Sequence, residues 1–414
     1  RRRVLAGAHG QVIGLPAPGL RRLQACLQAD CPTTPLSGEQ SNSSVLLGDQ
    51  AIMKFVRRFE EGVNPGVELG RYLSEQAQFP HAPRVGGSTE YRSRANGTAP
   101  ATISVLEEFV PNEGDGWRYV VDALTRGLED ALAAGEDGDL RAAPPPGVAS
   151  GDPWELEPAH PLVGPHMEWA SLLGERTADL HVALTSDGND PNFAPEPLTA
   201  LDRQALFHGA RSLTRQVLRD VLARGITSTL VQEVLNREEE IIERLRQLSA
   251  TPVEAFRIRC HGDFHLGQVL WTGKDFFIID FEGEPSRSLG WRRLKRPATF
   301  DLAGMIRSLH YAGQAAALRV NLEFGTSVES GLGTRYDDWL AFWHRWVSGR
   351  FLDSYLEVAA RSPSLPSSRT EVAQLLDFFR LEKAMYELSY EVNSRPTWVD
   401  IPARGILDIL GSER

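Results

Sequence analysis

The chain is poor in cysteine, and its cysteines follow no structural pattern. Three cysteines, Cys26, Cys31 and Cys260, occur among 414 residues, and none has C-x-x-C spacing. Such a set offers neither a disulfide framework nor a paired-cysteine zinc site. We therefore expect a reducing compartment, the cytoplasm.

Long apolar runs and an excess of positive charge are also missing. No apolar run approaches the roughly 20 residues that span a bilayer, and the basic start R-R-R-V-L-A-G-A has no long apolar stretch behind it. We predict neither a membrane-spanning helix nor a signal peptide. The net charge of −11 argues against a nucleic-acid partner or an anionic membrane surface, because both favour basic patches.

What remains is the composition of a large globular protein. Hydrophobic residues make up 42% of the chain and charged residues 24%, and no internal repeat is visible. A chain of this length can form two or three domains with a sizeable core.

The most informative segment runs from Cys260 to Asp280 and reads C-H-G-D-F-H-L-G-Q-V-L-W-T-G-K-D-F-F-I-I-D, followed by F-E-G-E-P. Asp263 precedes Gln268 by five residues, and Asp280 begins a D-F-E triplet. Kinase catalytic loops use an Asp to position the acceptor hydroxyl, with an Asn five residues later and a second Asp to hold magnesium. The amide oxygen of Gln268 suits magnesium as that of Asn does. The segment predicts phosphoryl transfer, with Asp263 as its catalytic residue.

An H-G-D triplet alone is also typical of an ordinary turn. Here, however, the apolar runs 269–271 and 276–279 are joined through Gly273 and predict a β-hairpin. This hairpin would bring Gln268 and Asp280 together. Polar groups gathered at the end of a buried hairpin are costly without a cation, which favours a metal site.

Residues 42–56 predict a second hairpin, with Lys54 in its second strand. A strand lysine alone often faces solvent, but Asn64 and Pro65 next predict the start of a helix. Glu68 would lie in the first turns of that helix. Because kinase folds orient the α- and β-phosphates with a strand Lys paired to a helix Glu, Lys54 and Glu68 are the predicted nucleotide-binding pair.

Two further nucleotide contacts are expected. Ser43 and Ser44 lie where a loop would cover the phosphates, although serine-rich turns are common and an ordinary turn is the alternative. Residues 101–110 predict a strand leading to a hinge between two lobes, where backbone groups near Glu108 and Val110 would contact adenine. An ordinary core strand fits this stretch equally well.

The remaining chain is mostly helical in pattern. Residues 117–134 predict a helix, and residues 142–153 form a Pro/Gly/Ser-rich connection. From about residue 166 helices dominate, with a packed, hydrogen-bonded His181 in a leucine-rich segment. Residues 229–248 predict one long helix whose charged face is solvated.

One helix face near the C-terminus has the chemistry of a sugar site. At 100° per residue, Lys383, Tyr386 and Tyr390 fall within an arc of about 60°. Rings, hydroxyls and an ammonium together suit a sugar, whereas a partly exposed packing face is the alternative. Arg395 and Trp398 at the helix end would close the pocket wall. The lysine disfavours a cationic acceptor such as an aminoglycoside.

Together these motifs resemble those of the bacterial maltokinases, which occur alone or fused behind trehalose synthase and share the aminoglycoside-phosphotransferase-like kinase fold. The resemblance extends from about residue 41 to the end of the chain. Its segments are N-S-S-V, N-P-G-V-E-L-G-R-Y-L, H-G-D-F-H-L-G-Q-V-L from His261, D-F-E-G-E-P from Asp280, R-R-L-K-R-P from Arg292, D-L-A-G-M-I-R-S-L-H-Y-A from Asp301 and Y-E-V-N-S-R-P-T-W-V-D-I-P from Tyr390.

The resemblance implies an α+β, bilobal protein-kinase-like fold. It comprises a short N-terminal cap (1–38) without the family's R-Q-R-W-F-like segment, an antiparallel-sheet N-terminal lobe with hinge and linker (39–150), and a larger helical C-terminal lobe (151–414). It also implies phosphorylation of maltose by ATP at the anomeric hydroxyl. The product would be maltose 1-phosphate, which feeds α-glucan synthesis from trehalose, with a trehalose synthase as a fused or associated partner.

The same resemblance implies a role for each site residue. Asp263 would be the catalytic base, while Gln268 and Asp280 would hold Mg²⁺ with Glu282 as a further carboxylate. Lys54 would contact the ATP phosphates and Glu68 would orient it. The residues expected to bind the sugar are His265, Lys383, Tyr386, Tyr390, Arg395 and Trp398.

Three alternatives use the same sequence features. A kinase for another sugar or amino sugar, for example glucosamine, would differ only in the C-terminal pocket. An aminoglycoside phosphotransferase would need an acidic acceptor pocket. A pseudokinase-like binding partner is the non-enzyme alternative, and it has no chemical need for Lys54, Asp263, Gln268 and Asp280 together.

Overall fold

The computed structural model describes residues 3–26, 31–36, 42–95, 97–133, 163–250, 252–324, 332–366 and 369–411. The predicted connection at 142–153 lies outside these ranges. Among the helices of the described ranges, none is long and apolar enough to cross a membrane.

The described chain begins with short strands and continues mainly as helices. The strands are β1 Val4–Ala6, β2 Gly10–Pro16, β3 Thr33–Pro35, β4 Asn42–Leu47, β5 Ala51–Val56, β6 Val85–Ser93, β7 Ala101–Glu108, β8 Gly114–Asp115, β9 Glu196–Pro197, β10 Phe256–Arg257, β11 Val269–Trp271 and β12 Phe276–Ile278. The α-helices are α1 Leu20–Cys26, α2 Pro65–Arg71, α3 Gly116–Ala133, α4 Gly164–Leu184, α5 Ala200–Arg224, α6 Thr229–Asn236, α7 Glu238–Ala250, α8 Leu289–Arg292, α9 Thr299–Phe324, α10 Leu332–Ala359, α11 Arg369–Ser394 and α12 Asp400–Gly411.

The chain divides into two compact units. Unit 1 contains Arg1–Gly116, Asp179–Ala194 and Ile258–Lys295, and unit 2 contains Trp117–Ala178, Pro195–Arg257 and Arg296–Arg414. The segment with the H-G-D and D-F-E motifs thus belongs to the unit that contains the N-terminal strands. The three segments expected from the sequence, 1–38, 39–150 and 151–414, stay a prediction.

Unit 1 is built on a seven-stranded antiparallel sheet in the order β1-β2-β6-β7-β5-β4-β3. The predicted hairpin at 42–56 is confirmed as β4 and β5. The first 36 residues supply β1 and β2 at one edge and β3 at the other. The predicted α+β class, with an antiparallel sheet ahead of a mostly helical chain, is confirmed.

Helix α2 packs on one face of this sheet. Val67 of α2 contacts a buried apolar cluster formed by Ala17, Val85 and Val105. The predicted helix start is confirmed, because the side chain of Asn64 accepts a hydrogen bond from the Val67 N–H at 3.2 Å. Capping in this way satisfies one of the free N–H groups of the first turn.

A second, three-stranded sheet of unit 1 carries the site loops. The predicted hairpin is confirmed as β11 and β12, whose register pairs Val269 with Ile278 and Trp271 with Phe276. Strand β8 pairs with the other edge of β11. A 3₁₀ turn, Leu266–Gln268, leads directly into β11.

The described part of unit 2 is helical apart from the short β9–β10 pair. Helix α11 packs against α5, α9 and α12, and the buried side chains of Trp343, Phe351 and Phe379 contribute to its core. The single long helix predicted at 229–248 is wrong, since α6 ends at Asn236 and α7 begins at Glu238. Asparagine is a weak helix former, and the acidic residues 238–240 favour a new helix N-terminus.

Candidate active site

The H-G-D turn is tied to the D-F-E segment through the imidazole of His261. Its Nε2 lies 2.8 Å from the carbonyl oxygen of Ile279, and its Nδ1 accepts the N–H of Asp263 at 3.4 Å. Because Nδ1 is the acceptor, Nε2 carries the proton and donates it to the carbonyl. The side chain is buried between the rings of Phe264 and Phe281. His261 therefore connects the backbone of Asp263 to the residue that precedes Asp280.

The carboxylate of Asp263 faces a second histidine. Nδ1 of His265 accepts the N–H of Gly267 at 3.0 Å, so the neutral ring carries its proton on Nε2. That Nε2 lies 3.7 Å from Oδ2 of Asp263. This contact is longer than a hydrogen bond, and the side chain of Asp263 is 14% exposed and thus accessible to a ligand.

Asp280 has a strained backbone. Its φ of +65° lies in the left-handed region, which costs a residue with a side chain about 1–2 kcal/mol. The turn also brings backbones close, because a Cβ on Gly262 would lie 3.3 Å from the Cα of Gly283. Strain of this kind persists where surrounding contacts determine the conformation, and it clusters at functional sites.

The expected meeting of Gln268 and Asp280 occurs at the end of the β11–β12 hairpin. Ile279 donates its N–H to the carbonyl of Gln268 at 2.9 Å, which continues the ladder by one residue. Nε2 of Gln268 then lies 3.4 Å from Oδ2 of Asp280. This contact is long for an N–H···O hydrogen bond and leaves the carboxylate able to take another ligand.

Lys54 does not pair with Glu68, and this part of the sequence prediction is wrong. Nζ of Lys54 lies 3.0 Å from Oε2 of Glu107 and 3.5 Å from Oδ1 of Asp280. Lys54 lies directly opposite Val105 on β7, so Glu107, two residues further along, shares its face. The carboxylate nearest to the lysine therefore comes from the neighbouring strand.

Glu68 belongs to a separate ion-pair cluster. Its carboxylate accepts hydrogen bonds from Arg259 at 2.9 Å and from Arg293 at 2.7 and 3.0 Å. Burial opposes ionisation of Glu68, but the hydrogen bonds from Arg293 and the charge of Arg259 outweigh it and lower the pKa of the carboxyl. The guanidinium of Arg259 also lies over the ring of Phe193, which stacks on Tyr72. Glu68 thus joins α2 to the segment that carries Asp263.

Glu282 is buried two residues after Asp280. Its Oε1 accepts a hydrogen bond from Nδ2 of Asn42 at 2.9 Å. Burial raises the pKa of the Glu282 carboxyl, and the negative charge of Asp280 raises it further. Its carboxylate links the D-F-E turn to β4, while its predicted part in metal binding stays a prediction.

Ser43 and Ser44 lie in strand β4, so the predicted phosphate-covering loop at these two positions is wrong. Ser43 pairs with Phe55 of β5, and Ser44 pairs with Lys54. Oγ of Ser43 accepts a hydrogen bond from Nε of Arg57 at 3.1 Å. Asn42 and Ser44 are buried and Ser43 between them is exposed, which is the alternation of a strand. Contact of the two serines with phosphate stays a prediction.

The strand predicted to lead to a hinge is confirmed as β7, which ends at Glu108. The N–H of Glu108 donates to the carbonyl of Arg84 at 2.9 Å, and the carbonyl of Val110 accepts from Nδ2 of Asn112 at 2.7 Å. Contact of these two residues with adenine stays a prediction.

The predicted sugar face lies on helix α11 in unit 2. Nζ of Lys383 lies 5.2 Å above the ring of Tyr386. The guanidinium of Arg395 lies 5.4 Å from the ring of Tyr390 and 4.7 Å from that of Trp398. A bidentate pair with Glu391 holds Arg395 in that position. The approach of this face to Asp263 stays a prediction.

The roles of four residues that organise the site were not predicted from the sequence. They are Glu107, Arg259, His261 and Arg293. Period-two counting along 101–108 places Glu107 on the same face as Val105, but the pairing register with β5 decides whether that face carries Lys54. The arginine contacts had no local signal, because they join residues 191 and 225 positions apart.

The oxygen donors suit a magnesium ion that takes its other ligands from phosphates and water. In the described ranges, no cluster of three or more His, Cys, Asp or Glu side chains could hold a metal. Magnesium at phosphate sites needs one or two protein carboxylates in addition to the substrate. The paired Asp280 and Gln268 provide such a set.

Comparison with known proteins identifies similar sequences. The model of the phosphotransferase enzyme family (APH) matches residues 32–283. A glucosamine kinase from Streptacidiphilus jiangxiensis is 27% identical over 394 residues, covering 93% of this chain and 76% of the relative. A glucosamine kinase from Mycolicibacterium smegmatis is 25% identical over 369 residues, covering 89% of this chain and 77% of the relative.

Solved structures share the architecture. A glucosamine kinase in complex with glucosamine, ADP and inorganic phosphate aligns with a TM-score of 0.68 at 21% identity, covering 99% of this chain and 94% of that chain. The kinase-like fold predicted from the sequence is thereby confirmed.

Proposed function

The chain belongs to the phosphotransferase enzyme family, and within that family we propose that it is an ATP-dependent sugar kinase. One observation carries the proposal. Unit 1 brings Lys54 and Gln268 to the two carboxylate oxygens of Asp280, while His261 ties the same turn to Asp263. These are the groups that phosphoryl transfer needs, namely a phosphate-binding cation, metal ligands and a base.

Asp263 accepts the hydrogen bond of the acceptor hydroxyl in this proposal. The imidazole of His265 lies beside the carboxylate at 3.7 Å, and the hydrogen bond from Asp263 N–H to His261 keeps the backbone of Asp263 in place. Little covalent work is left to the protein in such a transfer. The catalytic effect therefore comes mainly from positioning the hydroxyl in line with the γ-phosphate.

Lys54 contacts the phosphates of ATP, and Gln268 and Asp280 hold Mg²⁺. The ion, when bound, neutralises charge on the phosphates. In the present arrangement Gln268 turns its NH₂ group toward Asp280, so a half-turn of the amide is needed to present its oxygen. Glu282 supports the turn through Asn42.

For the acceptor we propose a glucosamine-type amino sugar. Support comes from two glucosamine kinases that align with about nine-tenths of this chain. Sugar hydroxyls and rings suit the face formed by Tyr386, Tyr390 and Trp398, in which Arg395 lies between two aromatic rings.

Maltose is the second candidate acceptor, with maltose 1-phosphate as product. The segments D-L-A-G-M from Asp301 and N-S-R-P-T-W from Asn393 favour it, because they resemble those of maltokinases. Lys383 also favours a neutral sugar, since an ammonium on the acceptor would be repelled by it. A trehalose synthase as partner belongs to this second proposal.

The test measures ADP release with Mg²⁺-ATP and glucosamine, maltose, glucose or an aminoglycoside, with the product identified by phosphorus NMR. Turnover with glucosamine supports the first acceptor, and an anomeric phosphate from maltose supports the second. Turnover with the aminoglycoside alone contradicts both. ATP binding without turnover of any acceptor contradicts the kinase proposal.

A further inference from the structure

We infer that Glu107 is the positioning residue for Lys54, and that Glu68 instead anchors the segment carrying Asp263. The inference rests on the proposed function, because it assigns Lys54 to the ATP phosphates. It departs from the usual kinase arrangement, in which a helix glutamate orients the strand lysine.

The sheet register places the two partners. Lys54 of β5 lies opposite Val105 of β7, and Glu107 lies opposite Ile52. Lys54 and Glu107 are therefore diagonal neighbours on one face, a spacing that long side chains can bridge. Their side chains are 15% and 14% exposed, so solvent screens the 3.0 Å contact only weakly.

Lys54 lies between two carboxylates, and the distances rank them. Oε2 of Glu107 is at 3.0 Å and Oδ1 of Asp280 is at 3.5 Å. Lys54 is thus held more closely by Glu107 than by Asp280.

The contact between Glu107 and Lys54 also affects the proposed metal site. Without Glu107, the nearest anion for Lys54 would be Asp280, whose oxygens are needed for Mg²⁺. A closer Lys54–Asp280 pair would compete with the cation for the same carboxylate. Glu107 therefore keeps Lys54 in place for phosphate and keeps Asp280 available for metal.

Glu68 is already saturated by other partners. Both of its oxygens accept hydrogen bonds from Arg293, and one accepts a further bond from Arg259. Arg259 lies four residues before Asp263 in the same segment. Glu68 thus acts on the catalytic turn, whereas the contact between Lys54 and Glu107 is made by neighbouring strands of one sheet.

The test measures how fast the Lys54 amine reacts with acetic anhydride, quantified by mass spectrometry on the full chain. Glu107→Gln keeps the size of the side chain but removes the anion that holds the Lys54 ammonium at 3.0 Å, so the amine is less protected by its ion pair and reacts faster. We expect at least about tenfold, together with about a tenfold rise in the KM for Mg²⁺-ATP and in the Mg²⁺ needed for half-maximal activity. Glu107→Asp should partly restore all three values.

Two variants complete the experiment. Glu68→Gln should lower the melting temperature while the rate of Lys54 labelling stays unchanged. The control is Glu90→Gln, which removes a carboxylate of β6 that pairs with Arg92. It should change neither the melting temperature nor the labelling rate. The inference is overturned if Glu68→Gln accelerates labelling and Glu107→Gln does not, or if Glu107→Gln labels like Glu90→Gln. Labelling needs no turnover. A failure to phosphorylate any sugar would therefore contradict the proposed function, while the labelling rates would still test the role of Glu107.

Discussion

In unit 1, the charge clusters around Asp280 and around Glu68 differ in how completely their carboxylates are hydrogen-bonded. The cluster around Asp280 has contacts of 3.4 and 3.5 Å to Gln268 and Lys54, on a strained backbone. The cluster around Glu68 has three hydrogen bonds of 2.7 to 3.0 Å from Arg259 and Arg293. Short, saturated contacts suit an anchor. Long contacts leave a carboxylate able to bind a cation, because the cation supplies the interaction that its protein partners do not fully provide.

We therefore expect substitutions in the two clusters to affect different properties of the protein. A change at the open cluster should reduce turnover and leave stability nearly constant. A change at the saturated cluster should reduce stability first, because it leaves a partly buried charge without its partner.

The largest effect is expected for Asp263→Asn. The variant keeps the shape of the side chain but removes the base, so turnover should fall about 10²- to 10⁴-fold. Binding of Mg²⁺-ATP, measured by calorimetry, should be nearly unchanged because Lys54, Gln268 and Asp280 are intact. An Asp263→Asn enzyme with wild-type turnover would remove Asp263 from the mechanism.

Next in size is Glu68→Gln. Loss of the carboxylate leaves Arg259, whose side chain is 3% exposed, without its anion, and should lower the free energy of unfolding by about 2–4 kcal/mol. Scanning calorimetry measures the loss. The matched control is Glu75→Gln, which breaks a more exposed i,i+4 pair with Arg71 and should cost no more than about 0.5 kcal/mol.

The ion pairs of Glu68 also predict that the stability of the fold depends on pH. The pKa of Glu68 is lowered in the folded state from its ordinary 4.5 by Arg293 and Arg259, which outweigh burial. Its contribution to stability is therefore present above pH 4.5 and is lost as the pH falls through the lowered pKa. The difference in melting temperature between wild type and Glu68→Gln should shrink below pH 4.5. A difference independent of pH would contradict an ionic role.

The smallest of these effects is expected for Gln268→Ala. Loss of one oxygen ligand should raise the Mg²⁺ concentration for half-maximal activity by about tenfold, and stability should change little. Gln11→Ala, in the exposed part of β2, is the control. If the Mg²⁺ concentration for half-maximal activity did not change, Gln268 would not be a metal ligand.

Much of the local structure was predictable from the sequence. The β4–β5 hairpin, the Asn64 cap and the β11–β12 hairpin each depend on residues within about fifteen positions of one another, so their signals are local. The meeting of Gln268 and Asp280 followed directly from that second hairpin. The break between α6 and α7 was missed because Asn236, its one local signal, stands between Leu235 and the charged, helix-favouring residues 237–240.

The partners of the charged side chains were not predictable in this way. Lys54 was assigned to Glu68 because a kinase pattern pairs a strand lysine with a helix glutamate. Which carboxylate lies nearest depends on the β5–β7 register, and a shift of one residue would turn Glu107 to the other face. Ser43 and Ser44 were assigned to a loop because a kinase pattern expects a phosphate-covering loop ahead of the lysine strand.

The sequence by itself determined the residue types and spacing of the catalytic segment, because Asp263, Gln268 and Asp280 belong to one turn and one hairpin. Only the tertiary structure decided that Lys54 is held by Glu107 and that Glu68 joins Arg259 and Arg293. The reason is physical. Local elements are selected by propensity and pattern over a few residues, whereas ion pairs are selected by distance and burial after distant segments have packed.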